Sequence, residues 1–149
     1  MTRINLVPPD ELMDQHLFAE FREIKMVPRS LARSIVARGL DESLRRIPSA
    51  FTLNAGHVSF FYDKGGYLHE RFASLKIELR RRAFRFDERS ALDPDGTYRS
   101  DPRLNQSYVP TPEALALVRT RIAERIDARP GWYRHCGHPF QVKSQAHAR

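Results

Sequence analysis

The chain has 149 residues, the size of one ordinary domain and enough to bury a core. Its 25 basic residues outnumber 18 acidic ones for a formal charge of +7, and because lysine occurs only at Lys25, Lys64, Lys76 and Lys143, the other 21 are arginine. Arginine grips phosphates bidentately and stacks on bases, so the bias favours a polyanionic partner, nucleic acid before membrane, unless it reflects coding composition alone. The single cysteine, Cys136, excludes an internal disulfide, and no segment reads as a signal peptide or membrane span, so a cytoplasmic setting is expected.

The first six residues, Met1 to Leu6, form a short apolar-polar arm. Removal of Met1 ahead of the small Thr2 would expose an α-amine whose ordinary pKa, about 7.7 to 8.0, leaves a useful fraction uncharged near neutrality, where a lysine near 10.4 would need desolvation. From Asp10 to Glu23 the pattern predicts an amphipathic helix: Met13, Leu17, Phe21 and Ile24 make one apolar stripe, and Asp10 is a candidate cap. On that helix His16, Glu20 and Glu23 share a strip beside the stripe, and Gln15 and Arg22 share the next.

Met26-Val27-Pro28 is expected to bend or interrupt the helix. A second piece then runs from a Ser30 cap to Arg38, with Leu31, Ile35 and Val36 inward and Gly39 as its stop. Leu40 to Arg46 reads as a solvated turn. The tract from Val58 to Tyr62 has strand propensity but no partner strand, so it is assigned to core packing, with Phe60 and Phe61 buried. His57 reads as a satisfied structural histidine rather than a DNA contact.

Leu68, Phe72, Leu75 and Leu79 predict a scaffold helix over 66–83, whose Arg80-Arg81-Arg82 end, with Arg85 beyond it, reads as solvated and matched to the helix dipole rather than as a phosphate contact. Residues 85–107 form a long polar loop. Thr111-Pro112-Glu113 starts a helix to about Ala128 that buries Leu115, Val118, Ile122 and Ile126. Arg121, Arg125 and Arg129 line one edge of it, either as a phosphate-tracking stripe or as a surface paired with Glu124 and Asp127. Gly131 to Gly137 mixes aromatics with a cation, as base-stacking segments do, although Trp132 could equally be core. His135-Cys136-x-His138 is too short a run to argue for zinc. Residues 141–149 are expected to be a disordered tail.

Thr2-Arg3-Ile4-Asn5-Leu6, Glu11-Leu12, Asp14-Gln15-His16-Leu17, Ala19-Glu20 and Arg22-Glu23 resemble, without a gap, the opening of the phage-type pyrimidine-dimer DNA glycosylase/AP lyase family, the small UV endonucleases. Ala55-Gly56-His57-Val58, Phe60-Phe61-Tyr62-Asp63-Lys64, Arg129-Pro130 and Trp132-Tyr133 extend the resemblance to most of the chain. It implies an all-α, single compact domain over residues 1–140, with about three main helices and long loops. It further implies base-excision repair of UV-damaged duplex DNA by a monomer, with no metal and no organic cofactor. Carried over by position, Thr2 would be the amine nucleophile and Glu23 the catalytic carboxylate. Arg3, Gln15, His16, Arg22, Arg121 and Arg125 would hold the lesion and its backbone. The family's next arginine falls on Met26, and Arg29 is the candidate substitute. His135 and Cys136 stand where the family has tyrosines. Two other readings compete: the same chemistry on oxidised or ring-opened bases, and a basic DNA-binding module without catalysis.

Overall fold

The structure, a computed structural model, describes residues 3–140. Five α-helices carry the fold: α1 (Asp14–Glu23), α2 (Met26–Arg38), α3 (Leu40–Arg45), α4 (Gly65–Arg81) and α5 (Pro112–Ala128). Short 3-10 turns join them, and a two-stranded antiparallel hairpin, β1 (Arg134–His135) and β2 (His138–Pro139), follows α5. The fold is mostly helical, as expected, with the hairpin as a small departure.

The centre is α4, whose Leu68, Phe72, Leu75 and Leu79 are all buried at the predicted spacing. Packed on it is α1, through Leu17 and a stacked pair, Phe21 and Phe72, with ring centroids 5.3 Å apart. The N-terminal arm is part of this core: Ile4, Leu6 and Val7 are buried, and Leu6 takes the left-handed conformation at φ 59°. A branched residue holds that conformation only where its surroundings dictate it.

The helix expected from Asp10 starts later. Pro9–Glu11 forms a 3-10 turn, Leu12 and Met13 are extended and buried, and α1 begins at Asp14 without Asp10 as its cap. Burying two adjacent apolar residues before the helix outweighed a cap. Likewise α2 starts at Met26 rather than after Ser30. Pro28 fits its first turn, where the missing N–H has no helical acceptor, and Ser30 instead shares a 2.6 Å hydrogen bond with the Tyr62 hydroxyl. Leu31 is buried as predicted, but Val36 is 89% exposed. Leu40 to Arg46, expected to be a turn, is mostly α3, because Gly39 at φ 85° ends α2 and starts a new helix that packs Leu40 and Leu44 against the core.

Residues 85–107 are better packed than a polar loop. Leu92, Tyr98 and Leu104 are buried, Asp93 accepts from the Thr97 and Tyr98 amides, and the Tyr98 hydroxyl donates to the Phe61 carbonyl at 2.8 Å. A Cβ on Gly65 would lie 2.5 Å from the Tyr98 ring, so that helix start requires glycine. Arg82 is not a solvated helix end: its side chain is fully buried, paired with Asp14 at 2.9 Å and Glu78 at 2.8 Å. Arg80 and Arg81 do stay outside, paired with Glu88 and Glu78.

Helix α5 starts as predicted, with the Thr111 hydroxyl accepting from the Ala114 amide and Pro112 at the first position. It is peripheral. Only Ala114 and Val118 are fully buried, Leu115 and Ile122 pack partly, and Ile126 is half-buried. Phe60 and Phe61 are buried in a 3-10 turn, in agreement with the rejection of a strand there.

Candidate active site

A cavity of about 300 Å³ opens between α1, α5 and the N-terminal arm. From α1 it is lined by His16, Ala19, Glu20 and Glu23, and from α5 by Val118, Arg121, Ile122 and Arg125. Both sets follow the spacing i, i+3, i+4, i+7, so each helix turns one whole face to the cavity. Arg3 and Asn5 of the arm and Tyr133 before the hairpin complete the wall.

The charges are unequal. Of the two carboxylates, Glu20 is taken up by the buried Arg71 of α4 through bonds of 2.7 and 2.9 Å, while Glu23 faces Arg3, Arg121 and Arg125 in the same cavity. Burial first, then the Arg125 and Arg121 charges, pulls the Arg3 guanidinium below its ordinary pKa, and Glu23 pulls the other way. Arginine stays protonated regardless, so the cavity is cationic with one carboxylate in it. Arg121 also reaches Glu124, at 3.6 Å, so the surface pairing and the cavity-lining position coexist.

His16 lies against Tyr133, ring centroids 4.6 Å apart, and its Nδ1 is buried without a hydrogen-bond partner among the described residues. Burial above all, then Arg125 and Arg3, pushes its pKa down from 6.5 to about 4, against a smaller upward pull from Glu20. The ring is therefore neutral at physiological pH. An NMR titration should place the His16 midpoint near 4, and Arg125→Gln should raise it by only the smaller part of the shift. Because the unfolded chain takes this proton first, the neutral ring's contribution to stability is lost as pH falls from about 6.5 toward 4. A His16 midpoint at or above 6.5 would contradict the burial.

Tyr133 is positioned by α1. The Gln15 side-chain amide donates to the Trp132 carbonyl at 2.7 Å and accepts from the Arg134 amide at 3.0 Å. The Asp14 carboxylate accepts from the Cys136 and Gly137 amides at 2.9 and 2.7 Å. Cys136 and Gly137 both have positive φ, as a two-residue hairpin turn of this kind requires, and their amides converge on the carboxylate. His135 donates from Nε2 to the Asp10 carbonyl at 2.7 Å. Trp132 is not core: it is half exposed, with the Arg129 guanidinium 4.1 Å from its ring centre.

The structure thus gathers Arg3, His16, Glu23, Arg121 and Arg125 into one cavity. Three nominated residues do not line it. Gln15 is occupied as a fastener of the Tyr133 segment, and Arg22 and Arg29 point to exposed positions on α1 and α2. Thr2 lies outside the described residues, as does the expected tail over 141–149. Asn5, Glu20 and Tyr133 were not nominated from sequence. For Glu20 a signal existed, its place on the strip with His16 and Glu23. For Tyr133 the aromatic run from Gly131 to Gly137 and the Trp132-Tyr133 match were signals, but its place in the cavity wall depends on Asp14 and Gln15, more than a hundred residues away in the chain.

No helix among the described residues is long and apolar enough to cross a membrane. Also among those residues, no group of three or more His, Cys, Asp or Glu is arranged to hold a metal ion. The family model for pyrimidine dimer DNA glycosylase matches residues 1–92, which include the arm, α1 and most of α4's surroundings. With more than half of its length matched, and with the arm and α1 walls of the cavity inside the matched part, the chain belongs to the pyrimidine dimer DNA glycosylase family.

Proposed function

We propose that the protein is a pyrimidine-dimer DNA glycosylase with AP lyase activity, acting through the α-amine of Thr2 after removal of Met1. The amine attacks C1′ of the 5′ nucleotide of a cis-syn dimer as the glycosidic bond to the base breaks, and the opened sugar is left as an imine to the protein. Glu23 stabilises the positive charge that develops on the sugar during base loss. It then takes the C2′ proton, and the 3′ phosphate leaves by β-elimination. The imine serves as electron sink for that second step, which is why an amine rather than activated water suits both.

The observation that carries this reading is that Arg3, the next residue to Thr2, lines the same cavity as Glu23. Consecutive Cα atoms are only about 3.8 Å apart, so the reading asks the amine to reach no further than one peptide unit beyond Arg3. Arg3, Arg121 and Arg125 supply the cations a sugar-phosphate backbone needs there, and His16 and Tyr133 put two aromatic rings, tilted against each other, in the same wall. Arg22 and Arg29, exposed on α1 and α2, extend the same basic character outside the cavity.

The test is borohydride trapping on duplex DNA carrying a dimer or an abasic site. A covalent adduct is expected with both, mapping to the N-terminal residue and lost when the α-amine is acetylated. Trapping on abasic but not dimer DNA would point to a different lesion, and binding without any adduct would reduce the protein to a DNA-binding module. Binding should also weaken steeply with salt, since each phosphate contact releases counterions.

A further inference from the structure

The position of the arm depends on a histidine that no part of the proposed chemistry uses. His57 is buried behind the arm, between the edges of Phe51 and Phe61, and its Nε2 lies 2.8 Å from the Ile4 amide nitrogen. Its Nδ1 lies 2.7 Å from the Thr52 carbonyl oxygen. A backbone amide can only donate and a carbonyl can only accept, so the two partners together dictate the tautomer: Nδ1 carries the hydrogen and Nε2 is the bare acceptor. A doubly protonated ring could not accept from Ile4.

Two further holds on the arm come from elsewhere. Glu20 of α1 accepts from the Asn5 amide at 3.0 Å and from its side chain at 2.9 Å, and Arg71 of α4 donates to the Val7 carbonyl. These grip the arm from Asn5 onward. His57 alone of the three acts at Ile4, nearer the terminus.

We propose that His57 is a positioning residue for the N-terminal amine: in its neutral Nδ1–H form it fixes the Ile4 amide and so limits how far the chain ahead of Ile4 can stray from the cavity that Arg3 and Glu23 line. The proposal rests on the amine chemistry above. The charged groups that act on the ring are Arg3 of the arm and Glu20 of α1, the latter neutralised by Arg71 of α4. Burial, which is the largest influence, and Arg3 disfavour protonation; the Thr52 bond and Glu20 partly oppose them. The holding form is thus kept to a lower pH than an ordinary histidine would allow, and it is lost as pH falls further.

Two variants separate this role from simple packing. His57→Gln can present an oxygen acceptor toward Ile4 but cannot titrate; His57→Leu fills the space and leaves the Ile4 amide unpaired. Single-turnover borohydride trapping on abasic duplex DNA would be followed from about pH 8 down to the acid limit at which the fold holds, a span that extends below the range where an ordinary histidine changes charge. DNA affinity and thermal unfolding would be measured alongside. His57→Leu should slow trapping about 10- to 100-fold, as misplacing a reacting group does, with DNA affinity almost unchanged. His57→Gln should recover most of that rate. At the acid end the wild-type rate should fall with one proton more than that of His57→Gln, the extra proton being the one on His57.

Wild-type trapping with a folded His57→Leu that is equally fast, or with a His57→Gln acid limb as steep as the wild type's, would overturn the proposal while leaving the amine mechanism standing. Should His57→Leu fail to fold, the steepness of the His57→Gln limb decides alone. Absence of any wild-type adduct would instead remove the amine mechanism, and the proposal with it.

Discussion

Glu23→Gln is expected to abolish dimer incision while leaving DNA binding intact. The amide matches the carboxylate in size, so the cavity between α1 and α5 keeps its shape. What is lost is the negative charge facing Arg3, Arg121 and Arg125 and the capacity to accept a proton. A positioned general base contributes about 10²- to 10⁴-fold, and here the same group is also proposed to stabilise the sugar cation, so the fall in single-turnover rate should reach the upper part of that range. Affinity for lesion-containing duplex should hold or improve slightly, because a carboxylate that repels phosphate has gone. Incision within a few-fold of wild type would remove Glu23 from the chemistry. Equal loss of binding and rate would make it a structural residue.

The second large effect concerns stability. Glu20 and Arg71 have side chains 0% and 5% exposed, joined by two hydrogen bonds, with Asn5 and Val7 of the arm bonded to the same pair. Removing one partner of such a pair leaves a buried charge uncompensated, and Arg71→Ala or Glu20→Ala should cost about 3–5 kcal/mol in urea denaturation. That is a large share of the total stability of a domain this size, about 5–15 kcal/mol. The double variant Glu20→Leu/Arg71→Met should be less costly than the sum of the singles. It should not return to wild type, since the Asn5 amide and the Val7 carbonyl would still lose their partners. Pairs on the surface, such as Arg119 with Glu11, lie in solvent and should contribute little by comparison. A single-variant loss no greater than that of a surface pair would show that the arm is not held by this network.

Local rules were sufficient wherever one face of an element meets the core and the other meets water. The i, i+4, i+7, i+11 series of α4, the Thr111-Pro112 start of α5 and the Gly39 stop of α2 were legible for that reason: each is decided by side chains within a turn or two. The family resemblance was legible too, since it rests on consecutive residues of the arm and α1. The same rules misjudged Asp10 as a cap, Leu40 to Arg46 as a turn, Val36 as inward and Arg82 as solvated. In each of these the deciding partner is distant or the apolar burial of a neighbour prevailed: Arg82 is buried because Asp14 waits for it, 68 residues away.

Sequence by itself determined the inventory of this protein: a cationic helical chain, an arm with a freed-amine candidate, and a helix bearing His16, Glu20 and Glu23 along one side. Only the tertiary structure decided how those parts are used. Glu20 and Glu23 sit on the same side of one helix and differ by a single turn, yet one meets Arg71 in the core and the other faces Arg3, Arg121 and Arg125 across a cavity. Which carboxylate is neutralised and which is left facing the cavity depends on where α4 and α5 pack, and that is set by the burial of Leu68, Leu75, Ala114 and Val118 rather than by anything in α1.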